Sequence, residues 1–554
     1  MLGRMQPWGG SAHRACGSLV PRSRPGSRHG TVASWAVCLA AGLLVPSLGC
    51  KKSSGAASPQ IGGMGKPLAL GAAADLRLTP NGQFATYLAG AQKPRLEGIP
   101  PQMLIGALHA IPIQGGASRR LGSGVTNVPG GYLFSPDSRW VLYLAGYNAA
   151  SQVGELNAQD LRDASSKSLS LGARVTYALV SPDSKWVAFV DASVLKVGLL
   201  PQGPFKELAA EVSTAEFTPD SRALIAKRRA AAGGSLLAIR LGEWNLRKLG
   251  DQVGDYSVSP DSKRIAFSRQ SDAAGRYDLF LGDLVDENAR ISKLASDTGL
   301  IGFSPDGKWL ARTEKWNVEQ AHGDLFVGPT DGGPARKVGE EVGERLAFSP
   351  DSKAIAYLEL WNQPTRTGLM GITVLPDGQP RRVGGRVPNF VWGSDGSALA
   401  FLSRFMKPAY SVDLMLYRVG EEKASKVHPG VYQGYGFGSN NGYLLFRGNC
   451  IRNNRACDLF VLDLTKPKSE PQKIVEGVYS FKTAERGNRI LVTYARVDAD
   501  TFDVAVYNLK TGERKTLERS ILLPALFTDE DGSKVAYIVA EKDRAGVYLA
   551  AGVP

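Results

Sequence analysis

Histidine and cysteine are scarce in this chain, five of each among 554 residues. Only His109, His322 and His428 lie beyond the first fifty residues, and they are far apart in sequence. No H-E-x-x-H, G-x-S-x-G or P-loop string occurs, so the familiar zinc-hydrolase, serine-hydrolase and nucleotide-binding signatures are missing. No apolar run reaches the roughly 20 residues that a membrane-spanning helix needs. Acidic residues are missing altogether from residues 1–50. Nothing here points to a catalytic centre, and no metal or cofactor is expected.

What the chain has in abundance is one phrase, Phe-Ser-Pro-Asp-Ser/Gly-Lys/Arg, followed by a short apolar run. It stands as FSPDSRWVLYL at Phe134, VSPDSKWVAFV at Val180, FTPDSRALIA at Phe217, VSPDSKRIAFS at Val258, FSPDGKWLART at Phe303 and FSPDSKAIAYL at Phe348. The Asp of each phrase serves as a ruler: Asp137, Asp183, Asp220, Asp261, Asp306 and Asp351, in steps of 46, 37, 41, 45 and 45. Weaker copies place Asn81 upstream and Asp395, Asn441, Gly487 and Asp531 downstream. Eleven units of about 45 residues result, the period of a β-propeller built from four-stranded blades.

The phrase suits a type I turn, with Pro presetting φ and Asp accepting from nearby backbone N–H groups. The Asp residues are therefore expected to be turn residues and not ligands. The strand after each turn is apolar almost throughout, as a strand buried on both faces should be. About seventeen residues past the ruler comes a third strand, as in Asp278-Leu279-Phe280-Leu281 or Asp458-Leu459-Phe460-Val461. A more polar fourth strand follows. The last unit ends after its third strand, while a stray strand-like piece, Lys66–Leu70, precedes the first. That piece is expected to supply the missing fourth strand and so join the two ends of the chain. Known rings usually have 4–8 blades. Eleven units therefore imply two packed propellers, residues 66–300 and 301–554, with one large ring as the alternative.

The SPDGK/SPDSK phrase with its apolar strand resembles the WD40-like repeat of TolB-type periplasmic propellers, and of the non-catalytic propellers of prolyl-oligopeptidase-like proteins. The likeness covers most of residues 66–554. It implies an all-β propeller and protein partners in the maintenance or assembly of a bacterial envelope. The phrase decays after Asp395, and no peptidase domain follows it.

The N-terminus agrees with export. Five arginines are followed by an apolar stretch from Val32 to Val45, which reads as a secretory signal in residues 1–50. It ends Ser47-Leu48-Gly49-Cys50, similar to a bacterial lipobox, with Ser47 standing where an aliphatic residue is preferred. Cys50 is then the lipidated residue, residues 51–65 a flexible tether, and Lys51 the feature implying outer-membrane retention, facing the periplasm or the cell surface. Cys450 and Cys457 lie on opposite arms of one hairpin, which suits a disulfide.

Charge and aromatics suggest where partners bind. The net charge is +14, of which the five leader arginines contribute five, leaving +9. Lys227, Arg228, Arg229, Arg269, Arg312, Arg404, Arg447, Arg452 and Arg455 follow second strands and could form a rim attracting acidic partners. Nucleic acid is not an expected partner, and the membrane is met only through the lipid. Ten residues past the ruler an aromatic recurs, at Tyr147-Asn148, Trp316-Asn317, Trp361-Asn362 and Phe405. These positions form a candidate partner-binding rim. The expected function is that of a non-enzymatic, lipid-anchored binding or scaffolding module. The alternative is an enzyme or accessory subunit, peptidase-like or glycan-active, using the ring as a platform.

Overall fold

The Pro-Asp phrase folds each unit back on itself. In blade 2 the N–H of Ser138 donates to the carbonyl of Ser135 (2.8 Å), joining the inner strand Tyr132–Phe134 to the second strand Trp140–Asn148. Val153–Asp160 and the first part of Leu169–Val180 complete that blade as its third and outer strands. The computed structural model describes residues 65–554 apart from 230–233, 272–274, 287, 404–411, 439–440, 452–455, 467 and 496–500.

Forty strands make eleven four-stranded antiparallel blades, because four long strands serve two blades each. Leu169–Val180, Leu246–Val258, Ser425–Phe437 and Arg514–Phe527 leave one blade as its outer strand and enter the next as its inner strand. The inner end of each blade is the end where blades converge. There the inner strands of neighbours touch, as Ala73–Leu78 meets Arg514–Phe527 and Leu246–Val258 meets Ile301–Phe303.

The second strands are buried on both faces, as their unbroken apolar sequence requires. In blade 8, Ala398–Ser403 is buried at every position. Two faces per blade yield one hydrophobic layer per junction, and eleven such layers occur. Blades 5 and 6 share Ala266, Leu279 and Leu281 with Phe303 and Leu310. Blades 10 and 11 share Leu491, Val504 and Val506 with Val535 and Tyr537. The last layer joins the ends: Leu76, Ala85, Tyr87 and Ile111 of blade 1 pack on Ala536, Ile538 and Val547 of blade 11.

The fold is therefore an all-β propeller closed as one ring. Two rings divided near residue 300 would need a blade packing on a blade distant in sequence, and only sequence neighbours and the pair 11–1 share a layer. The layer of blades 5 and 6 runs straight across that proposed boundary, and residues 63–554 form one unit. The expectation of two propellers is corrected to the single large ring.

Closure follows the expected route. Lys66–Leu70 lies antiparallel to Gly546–Ala551 as the outer strand of blade 11, with Lys66 opposite Leu549 and Leu70 opposite Gly546. Leu68 and Ala69 pack into the layer between blades 11 and 1. Deleting residues 66–70 exposes that strand edge and removes the Leu68 contact, a loss of about 3 kcal/mol from a few backbone hydrogen bonds and one aliphatic side chain. The expected outcome is a lower melting midpoint with increased light scattering on heating; an unchanged melting curve would mean the strand does not close the ring.

Candidate functional site

The repeated residues are occupied in holding the ring. In each turn the Asp Oδ1 accepts from the preceding Ser or Thr hydroxyl and from the N–H two residues on. For Asp183 these are Ser181 Oγ (2.6 Å) and Lys185 N (3.1 Å), and Asp137, Asp220, Asp261, Asp306 and Asp351 repeat the pattern. Asp395 accepts from Ser397 N and Oγ (2.8 and 2.7 Å). Hydrogen bonds from Ser181 and Lys185 hold the Asp183 carboxyl below its ordinary range despite the opposing effect of burial. Such a carboxylate is committed to its own turn.

The fifth residue of the phrase links turn to turn. Ser138, Ser184, Ser221, Ser262 and Ser352 have φ between 62° and 64°. In that left-handed conformation each hydroxyl meets the blade before it. The N–H of Asp137 donates to Ser184 Oγ (2.9 Å), that of Asp183 to Ser221 Oγ (3.0 Å) and that of Asp220 to Ser262 Oγ (2.9 Å). Where Gly307 replaces serine, a Cβ would lie 2.9 Å from Asp261 Cγ.

A second lock pairs an outer-strand glycine with an aromatic of the next blade's second strand. A Cβ at Gly384 would lie 2.5 Å from Phe401 Cε2, at Gly339 2.6 Å from Tyr357 Cε2, and at Gly172 2.9 Å from Phe189 Cε2. Only glycine admits the ring at that distance. In the sequence these aromatics stand inside the apolar run that follows each turn. Their constant offset of six residues from the ruler was the available signal.

The aromatic-Asn positions of the expected binding rim also close the ends of their blades. Asn148 Oδ1 accepts from the N–H groups of Ala150 and Ser151 (2.9 and 3.0 Å), Asn317 from Glu319 and Gln320, and Asn362 from Thr365. Trp361 is 5% exposed. It covers Gly343 as Trp316 covers Gly299, positions where a Cβ would collide with the indole. Tyr147 packs on the layer of blades 2 and 3. Phe405 and Arg404 lie outside the described residues, as do Arg452, Arg455 and Cys50.

The basic residues after the second strands are likewise engaged. Lys227 Nζ donates to Gly254 O, Arg228 Nε to Ala210 O (3.1 Å), Arg269 Nε to Asp251 O (3.2 Å) and Arg447 to Tyr479 O. Arg312 pairs with Glu314 (2.8 Å). Lys227, Arg228, Arg269 and Arg447 thus reach backbone carbonyls at blade junctions, and Arg312 pairs within its own strand. Cys450 and Cys457 lie close together at the end of their hairpin, Cα atoms 4.0 Å apart.

What differs from blade to blade is the inner wall. Counting back from the residue that opens each turn, the second position carries Arg77 in blade 1, Glu216 in blade 4 and Lys482 in blade 10, and elsewhere apolar residues, glycine or serine. At three junctions a tyrosine stands three residues before the turn. Tyr132 donates to Asp75 Oδ2 (2.7 Å) and Tyr435 to Asn389 Oδ1 (2.9 Å) of the preceding blade, and Tyr256 packs into the layer of blades 4 and 5. Arg77 completes the first of these, its guanidinium 4.0 Å from the Tyr132 ring centre and 3.1 Å from Asp75.

Glu216 keeps accessible surface, yet the surrounding wall desolvates it and raises its carboxyl above the ordinary value. Burial, and then the Glu216 charge, raise the Tyr256 phenol; burial alone raises Tyr177. The Tyr177 hydroxyl is buried without a hydrogen-bond partner among the described residues. Burial lowers Lys482. No repeating signal marks these wall positions in the sequence.

No protein-family model matches this sequence, and no curated protein matches it. Among solved structures, a eukaryotic initiation factor is similar at 12% identity over 69% of this chain and 96% of its own, with a TM-score of 0.42. The tricorn protease is similar at 13% identity over 87% of this chain and 57% of its own, TM-score 0.28. A prolyl endopeptidase is similar at 11% identity over 60% of this chain and 55% of its own, TM-score 0.31.

The wall yields a signed pH prediction. A carboxyl raised by folding lowers stability once it ionises, so the penalty is missing below its unfolded value and complete above its folded value. Glu216→Gln should therefore melt higher than the wild type at pH 8, with the difference vanishing near pH 4. Equal melting at both pH values would show that the wall does not desolvate Glu216.

Proposed function

We propose that this protein is a non-enzymatic binding or scaffolding module of a bacterial envelope, anchored by lipid at Cys50 through the tether of residues 51–65. The observation that carries this reading is a division of labour inside the blade. Turn aspartates, left-handed serines, outer-strand glycines and their aromatics are all engaged in the ring. The inner wall is free to vary on that rigid frame, and rigid presentation of varied side chains lowers the ordering cost of binding. The partner is a protein segment that meets the wall of the opening. Export also supports a persistent disulfide between Cys450 and Cys457.

The test blocks the wall without touching the frame. A Cβ at Gly436 meets nothing within 4 Å, so a side chain can leave the inner strand of blade 9 there and Gly436→Trp adds bulk to the wall. The full chain and this variant, both carrying Cys50→Ser, are used to capture proteins from envelope extract. A protein retained by the first and lost by the second, with equal melting curves, is the expected result. Retention by both, retention by neither, or cleavage of peptides by the purified protein would overturn the reading.

A further inference from the structure

We propose that blade 1 carries an oxyanion site built from Arg120, His109 and Ser118, and that its ligand is a phosphate monoester. The site lies away from the inner wall and does not depend on what that wall binds.

The three residues belong to one group. Tyr87 on the second strand stands opposite His109 on the third, and His109 stands opposite Arg120 on the outer strand. Residues paired in this way share one face of the blade. The imidazole stacks on the phenol ring, with ring centres 5.3 Å apart. Ser118, just before the outer strand, bridges the two: its Oγ lies 2.7 Å from Tyr87 Oη and 3.3 Å from His109 Nδ1. Tyr87 itself is buried in the layer between blades 11 and 1, against which Leu68 and Ala69 of the closing strand also pack. A buried ring thus holds an exposed hydroxyl and a half-buried imidazole in place, the preorganisation that a binding site needs.

Elsewhere in the ring the register of Arg120 carries a compensated charge. Blades 5, 6, 8 and 9 have a lysine there, facing Phe280, Phe326, Met415 and Phe460. Each lysine pairs with the aspartate two residues before the one it faces: Lys293 with Asp278 (2.7 Å), Lys337 with Asp324 (3.1 Å), Lys426 with Asp413 (3.0 Å) and Lys473 with Asp458 (3.9 Å). Blade 1 has Ala107 where those aspartates stand. Arg120 has no ion pair among the described residues, and its guanidinium donates there only to the Ser123 hydroxyl. Blade 1 thus lacks the acid of the repeat and gains an imidazole and a hydroxyl at the same place.

The chemistry selects the ligand. A guanidinium without its carboxylate is matched by an oxyanion, whose oxygens fit its fork. Burial, and then the Arg120 charge, lower the His109 imidazole; an anion at this place acts in the opposite sense and favours the protonated ring. A carboxylate offers two oxygens and a single charge. A phosphate monoester offers three acceptor oxygens and about two negative charges, enough to meet guanidinium, imidazole and hydroxyl together.

Calorimetric titration of the full chain carrying Cys50→Ser uses glycerol 3-phosphate as the probe and acetate as the control. The expected result is saturable binding of glycerol 3-phosphate alone, weakened about tenfold or more by Arg120→Gln and by Ala107→Asp, and weakened by His109→Phe. Ala107→Asp supplies the acid that the repeat has elsewhere, and His109→Phe supplies the ring of blades 5, 6 and 9. Both are therefore compatible with the fold, and melting curves recorded alongside check it. Failure to bind glycerol 3-phosphate, equal binding of acetate, or undiminished binding after Arg120→Gln or Ala107→Asp overturns the site. Vesicles of phosphatidylcholine doped with phosphatidic acid identify the source of the phosphate. Cosedimentation that is lost in Arg120→Gln assigns it to a lipid headgroup, and binding of glycerol 3-phosphate without cosedimentation assigns it to a soluble ester.

Discussion

The pairing of Lys66–Leu70 with Gly546–Ala551 is the interaction on which the rest depends. A row of radial sheets has two exposed faces and an incomplete last blade, and each is a site for aggregation. Placing the first strand of the chain beside the last completes blade 11 and brings blade 1 against it. Closure also sets a demand on every other junction. Small errors in the angle between blades add around the circle, so eleven junctions must be nearly alike for the ends to meet. The hydroxyl link between successive turns and the fit of an aromatic ring over a glycine supply that likeness. Both are short-range and directional, and both act between neighbours only, as the stability of repeat proteins generally does.

The most repeated residues are accordingly those engaged within the ring. Asp183 is fixed by its own turn, Ser184 by the blade before it, and Phe189 by Gly172. Arginines on outer strands continue the pattern at larger radius: Arg247 donates to the carbonyls of Asp283 and Ala289 (2.8 and 2.7 Å) in the next blade. A frame so fully engaged leaves variation to the wall, where residues of one position can be arginine, glutamate, lysine or glycine without disturbing a junction.

Much of the fold is legible in the sequence. The Pro-Asp turn, the doubly buried second strand, the blade count and the closing strand each follow from local chemistry that Ser135–Asn148 or Lys66–Leu70 already displays. The number of rings does not, because a turn motif specifies the hairpin and says nothing of the angle between hairpins. That angle resides in contacts such as Gly339 with Tyr357, which are separated by a loop and a strand. The turn role of the Trp-Asn pairs is hidden for a related reason. Asn362 looks like a free amide until its acceptor is seen to close the turn at Thr365. Glu216 is the reverse case: in sequence it is one acid in an unremarked strand, and only the fold shows that its surroundings desolvate it.

A crystallographic or cryo-electron-microscopy map of the full chain tests the central claim most directly. The account predicts eleven four-stranded sheets around a single opening, with residues 66–70 alongside residues 546–551. Two smaller rings meeting near residue 300, or an N-terminal strand placed away from blade 11, would contradict it.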